Sequence, residues 1–177
     1  MRNQQKNNLI RDSQHGFRHN KSCLSNLLTF LNCVSKWIDN GDSADVIYLD
    51  FAKAFDKVPH QRLIYKLESI GLSGSLLSWI KSWLSNRRQR VTINGKKSSW
   101  LPVPVISGVP QGSVLGPILF LIYINDIDDS IVNWISKFAD DTKLYSVIRN
   151  ELENNNLQLD LKSIWAIPCN YGHRVIF

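Results

Sequence analysis

The sequence predicts an α+β fold, an antiparallel sheet backed by helices. Three observations predict it. Short apolar runs, Trp134, Ile135 and Phe138 before and Leu144, Tyr145, Val147 and Ile148 after, flank the pair Asp140-Asp141. They read as a β-hairpin with the acids at its tip. A second hairpin signal, Asn94-Gly95, lies between Arg90-Val91-Thr92-Ile93 and the stretch from Lys96 to Leu101. Strand and helix patterns are mixed along the chain rather than strictly alternating, which disfavours a doubly wound parallel sheet.

Taken in order, residues 1–13 read as a loose polar lead-in, followed by the turn-like Gln14-His15-Gly16-Phe17-Arg18. From Ser22 the pattern is helical: Leu24, Leu27, Leu28, Leu31, Val34 and Ile38 recur at spacings of three and four and form one apolar face. Asn40-Gly41 stops that helix. Asp45 to Phe51 reads as a strand buried on both faces. A tight turn, 52–59, leads to a helix from about His60 to Ile70 with Leu63, Ile64 and Leu67 inward and Gly71 as its stop. Ser73 caps the next helix, which carries Leu76, Leu77, Ile80, Trp83 and Leu84. After the Asn94-Gly95 hairpin, a Gly/Pro loop from Ile106 to Ser113 precedes a buried helix, Val114 to Ile124. The acid hairpin follows, then a polar helix from about Glu151 to Ile164.

Of the 177 residues, 44% are hydrophobic and 20% charged, enough apolar material for one packed domain. The net charge of +6 suits a polyanionic partner without requiring one. The three cysteines, Cys23, Cys33 and Cys169, form no CxxC pair, which argues against a disulfide framework or zinc site. His15, His19, His60 and His173 have no ligand spacing. The N-terminal stretch lacks the apolar core of a signal peptide. The longest apolar run, Val114 to Ile124, falls short of the roughly 20 residues that span a bilayer. The expectation is an intracellular protein, cytoplasmic or nuclear, with no membrane partner.

Chemistry concentrates at the acids. Neighbouring carboxylates repel and raise each other's pKa unless a cation lies between them. Asp50 ends the apolar run Val46-Ile47-Tyr48-Leu49 in a setting like that of Asp140 and Asp141. Three acids at the ends of two strands suggest one divalent-metal site, since hard cations such as Mg²⁺ take carboxylate oxygens. An Asp-Asp pair alone is also ordinary turn chemistry. Asp56 reads as a turn or cap residue, and Asp126, Asp128 and Asp129 as a solvated acidic turn.

Three blocks extend that reading. They are the stretch from Tyr48 to Val58 (YLDFAKAFDKV), the stretch from Ser107 to Pro117 (SGVPQGSVLGP), and Phe138-Ala139-Asp140-Asp141. In this order they closely resemble the palm motifs of reverse transcriptases, in particular those of non-LTR (LINE-like, Jockey-type) retrotransposons. Residues 14–18, Trp83-Leu84 and the stretch from Arg87 to Val91 also fit, and the resemblance covers about residues 14–161.

The resemblance implies a palm-like sheet and RNA-directed DNA polymerase activity, with an RNA template, a DNA primer and dNTP as partners. It implies that Asp50, Asp140 and Asp141 are catalytic and hold two Mg²⁺ or Mn²⁺ ions, with the Phe51 carbonyl as a further ligand. It aligns Phe55 with the aromatic under the incoming sugar and Gln111 with the loop residue that contacts template or nucleotide. Gly112, like Gly108, lets the backbone approach the nascent pair. Arg87, Arg88 and Arg90 would meet template or primer phosphates. On the residues alone, Phe55 also reads as core, the Gln111 loop as a turn feeding a Ser113 cap, and the arginines as a solvated loop.

The resemblance stops at Leu161, and 162–177 read as a divergent tail. Only partial fingers, no thumb and no endonuclease region are assigned, so the chain reads as a fragment of a retrotransposon polyprotein. The competing expectations are an inactive remnant that at most binds nucleic acid or metal, and an unrelated Mg²⁺ phosphotransfer protein using Asp50.

Overall fold

Capping chemistry starts the first helix where the sequence places it. In the computed structural model, which describes residues 9–85, 87–88, 90–100, 105–166 and 172–176, the Ser22 hydroxyl accepts the Ser25 backbone N–H. The Ser25 hydroxyl in turn accepts that of Ser22, a closed capping box. The elements among the described residues run α1 (Cys23–Asp39), β1 (Ser43–Ala52), α2 (His60–Ser69), α3 (Gly74–Leu84), β2 (Thr92–Ile93) and β3 (Lys96–Lys97). They continue with α4 (Leu115–Tyr123), β4 (Trp134–Phe138), β5 (Asp141–Ile148), α5 (Glu151–Ala166) and β6 (Gly172–Ile176). The α+β class and both hairpins are as the sequence predicts. Gly41, Gly71 and the Asn94-Gly95 pair all take the left-handed conformation their stop and turn roles require. Ser73 occupies the N-cap of α3, yet its side chain makes no capping bond. Cys169 lies outside the described residues. No helix among those residues is long and apolar enough to cross a membrane.

The chain divides into two units, one joining Met1–Ala54 to Ile124–Phe177 and the other Phe55–Tyr123. In the first, an antiparallel sheet has the order β4-β5-β1-β6. β1 alternates rather than burying both faces, because only Ile47, Leu49 and Phe51 are buried while Tyr48 is exposed and Asp50 half-buried. β6 arises within the tail the sequence left without structure, and its register pairs Asp50 with Arg174. Along β5, α5 buries Leu157 and Ile164, and its Asp160 carboxylate accepts the backbone N–H groups of Val132 and Asn133.

Helix α1 decides what the periodicity leaves open, which way its apolar face turns. Its leucine stripe faces outward: Leu24, Leu27, Leu28, Leu31 and Ile38 are exposed, and Asn26 and Phe30 are the buried residues. The Asn26 amide donates to the Ser136 hydroxyl at 2.6 Å and the Lys137 carbonyl at 3.1 Å. The Phe30 ring meets Tyr145 edge-on at 5.1 Å between centroids. Leu28→Gln should therefore change unfolding free energy by less than about 0.5 kcal/mol. A urea titration showing a loss above about 2 kcal/mol would return the stripe to the core.

The acidic turn is a second correction. Asp128 is buried, not solvated: its carboxylate accepts the Lys137 ammonium at 2.8 Å and the Ser13 hydroxyl at 2.6 Å, and Arg11 lies 3.7 Å away. Burial lowers the Lys137 pKa, and Asp128 opposes that shift. Arg11 also pairs with Asp129 and donates its backbone N–H to Asn125, so 9–13 are tethered rather than loose.

In the second unit, α2 packs against α3 and α4 around Leu63, Leu67, Leu77, Ile80, Leu84, Leu119 and Phe120. Ser113 does cap α4, its hydroxyl accepting the Gly116 N–H at 2.9 Å.

Candidate active site

The register of β1 on β5 assembles the acids. Leu49 opposes Thr142, and the next position outward on each strand is an acid, Asp50 and Asp141, on the other face of the sheet from that pair. Phe138 pairs with Asp141, which leaves Ala139-Asp140 as a two-residue turn. Asp50 and Asp141 both line a cavity of about 540 Å³ that also takes in Asn26, Tyr48, Thr142 and Lys143. All of these residues belong to the first unit.

Electrostatics ties the third acid to the other two. The Asp140 carboxyl is pushed above its usual range, first by burial and then by the charges of Asp141 and Asp50, against a backbone hydrogen bond that lowers it. The Asp140 carboxyl and the Asp141 and Asp50 charges that act on it make an oxygen-rich donor set. That chemistry fits a hard divalent cation. As their side chains stand, no group of three or more His, Cys, Asp or Glu among the described residues could hold a metal ion. The Phe51 carbonyl accepts the Ala54 N–H at 3.1 Å, and the Phe51 side chain is buried.

The cavity residues Lys143, Asn26 and Ser136 were not singled out from sequence. Lys143 opposes Tyr48 across the ladder, donates to the Asn26 amide oxygen at 3.1 Å and lies 5.2 Å from the centre of the Phe30 ring. Period-two spacing from Asp141 puts Lys143 on the acids' face, a signal the sequence carried.

The remaining candidates lie in the second unit. Phe55 stacks on Phe120 with 4.4 Å between centroids, and its carbonyl accepts the Val109 N–H at 2.8 Å. The Val58 carbonyl accepts the Gly108 N–H at 2.8 Å, Ser107 donates to the Asp56 carbonyl at 3.0 Å, and His60 bonds the Gly108 carbonyl. Gly108 sits at φ +89, where a Cβ would come within 2.9 Å of the Asp56 carbonyl oxygen. These bonds fasten the turn carrying Phe55 to the loop carrying Gln111 and Gly112, both of which are exposed. Asp56 is exposed and serves this fastening through its backbone, as a turn residue would. Arg87 lies over Trp83 and Arg90 over Trp100, whereas Arg88 is exposed.

The family described as reverse transcriptase (RNA-dependent DNA polymerase) matches residues 1–166. The RNA-directed DNA polymerase from mobile element jockey of Drosophila melanogaster is 33% identical over 89% of this chain and 18% of its own length. Its counterpart from Drosophila funebris is 38% identical over 64% of this chain and 12% of its own length. A probable RNA-directed DNA polymerase from transposon BS of Drosophila melanogaster is 30% identical over 67% and 13% respectively. This chain thus spans less than a fifth of the length of these relatives. Among solved structures, a partial Cas6-RT-Cas1–Cas2 complex is similar over 84% of this chain and 25% of that chain, at 24% identity and a TM-score of 0.35.

Proposed function

Because the chain belongs to the reverse transcriptase (RNA-dependent DNA polymerase) family, we propose that it carries the carboxylates of an RNA-directed DNA polymerase active site. The observation that carries this reading is the joint one at the turn. Asp50 and Asp141 each lie one step beyond the Leu49–Thr142 pair of two strands distant in sequence, both line one cavity, and both charges act on Asp140. Asp50, Asp140 and Asp141 would hold Mg²⁺ or Mn²⁺, with the Phe51 carbonyl as a further ligand. When bound, such ions lower the pKa of a primer 3′-hydroxyl and neutralise the triphosphate. The reaction joins the primer 3′ oxygen to the α-phosphorus of a dNTP and releases pyrophosphate.

The chain's own residues do the positioning, which is most of what phosphoryl transfer asks of a protein. The Lys143 ammonium, steered by Asn26, meets triphosphate oxygens. Phe55, backed by the Phe120 ring, walls off a sugar 2′-hydroxyl, and Gln111 and Gly112 lie against the nucleotide or template. Arg87, Arg88 and Arg90 meet the backbone phosphates of the RNA template or DNA primer. In a polymerase-competent protein, Phe55→Val should relax discrimination against ribonucleotides at least about tenfold. Equal incorporation ratios for parent and variant would count against the wall.

The test is primer extension by the purified chain on an RNA template with dNTPs and Mg²⁺ or Mn²⁺. Extension that vanishes on chelation and in Asp50→Ala is the expected result. The alternative reading is a catalytically inactive protein that at most binds metal or nucleic acid. Metal or oligonucleotide binding without extension by the parent chain would favour it.

A further inference from the structure

Residue Gln14 is 2% exposed, and its amide is spent on one turn. Its Oε1 accepts the backbone N–H of Ala139 at 2.8 Å and that of Gly16 at 2.8 Å, and its Nε2 donates to the Ala139 carbonyl at 3.2 Å. Both polar backbone groups of Ala139 are therefore held by one side chain 125 positions away. Ala139 sits at φ +55, a left-handed conformation that costs a residue with a Cβ about 1–2 kcal/mol unless its surroundings impose it. The next residue is Asp140.

The flanking chain is fastened too. Lys137 donates its N–H to the Ser13 carbonyl at 2.7 Å, and its own carbonyl accepts the His15 N–H at 2.8 Å. Gly16 completes the fit: a Cβ there would stand 2.4 Å from the Ala139 nitrogen. Only a residue without one lets the 14–16 backbone lie this close to the acid turn.

We propose that Gln14, seated by Gly16, is a positioning residue for Asp140: it imposes the left-handed Ala139 backbone that aims the Asp140 carboxylate at the divalent cation. This inference rests on the metal reading above and adds a role for a residue that touches neither metal nor substrate.

Two readouts on the purified chain test it. One is Mn²⁺ affinity, from the spin-resonance signal of the free ion. The other is amide hydrogen exchange at Ala139 and Asp141 in EDTA. Gln14→Met, which fills the space without bonding, should weaken Mn²⁺ binding about tenfold. It should also speed exchange at Ala139 at least about tenfold, while exchange along Leu144 to Val147 stays as in the parent, showing the sheet intact. Gly16→Ala should do the same from the other side of the contact. Gln14→Glu keeps the acceptor for both N–H groups and should restore most of the Ala139 protection.

Parent-like Mn²⁺ affinity or Ala139 exchange in Gln14→Met would overturn the proposal while leaving the metal reading intact. A parent chain that binds no Mn²⁺, even with its Asp140 turn protected, would instead remove the metal reading and this role together.

Discussion

Replacing Asp140 with asparagine is expected to lower primer extension about a thousandfold, equivalent to roughly 4 kcal/mol of lost transition-state stabilisation. The substitution keeps the side chain's size and removes the charge that would face the cation. Its effect on stability should run the other way when no divalent ion is supplied. The Asp140 carboxyl is held above its usual range by burial and then by Asp141 and Asp50. A carboxyl raised in this way contributes stability that is fully present below the unfolded carboxylate value. That contribution is lost as the pH rises through the folded value. In EDTA at pH 7, Asp140→Asn should therefore melt above the parent, and the gap should close towards pH 4. Added Mn²⁺ should raise the parent's midpoint more than the variant's. Identical melting in EDTA at both pH values would mean that neither burial nor its acidic neighbours hold the Asp140 carboxyl above its usual range.

Lys137→Ala should cost the first unit about 3–5 kcal/mol, read as a shifted urea midpoint. The ammonium is fully buried, and Asp128 is its close partner at 2.8 Å. Truncation leaves the Asp128 carboxylate enclosed, with Ser13 and a half-exposed Arg11 as its remaining neighbours. Replacing both partners with apolar residues of similar size should restore much of the loss, because no unpaired charge then stays inside. A loss below about 1 kcal/mol for Lys137→Ala would show that water reaches the pair.

Most of what the chain decides locally could be read from its sequence, the missing Ser73 capping bond being an exception. Ser22, Gly41, Gly71 and Asn94-Gly95 act within a few residues of themselves, and each does what its chemistry predicts. What could not be read depends on partners far along the chain. Periodicity shows that α1 has an apolar stripe but not which face turns inward. That is decided by Asn26 finding Ser136 and Lys137, and by Phe30 finding Tyr145. Asp128 looks like any loop acid until Arg11, Ser13 and Lys137 converge on it. Gln14 has one local bond, to the Gly16 N–H, but the other two bonds of its amide reach Ala139.

The unit holding the three acids is interrupted: its halves, Met1–Ala54 and Ile124–Phe177, bracket the whole of Phe55–Tyr123. On a ribosome, β1 emerges long before β5 exists to pair with it, since Leu49 must wait for Thr142. A nascent strand with Ile47, Leu49 and Phe51 unmated is sticky, and the delay favours chaperone capture or aggregation. The intervening segment can meanwhile fold around its own helices. A stalled chain ending before Ile124 should therefore expose β1 to protease while the segment after it is already resistant.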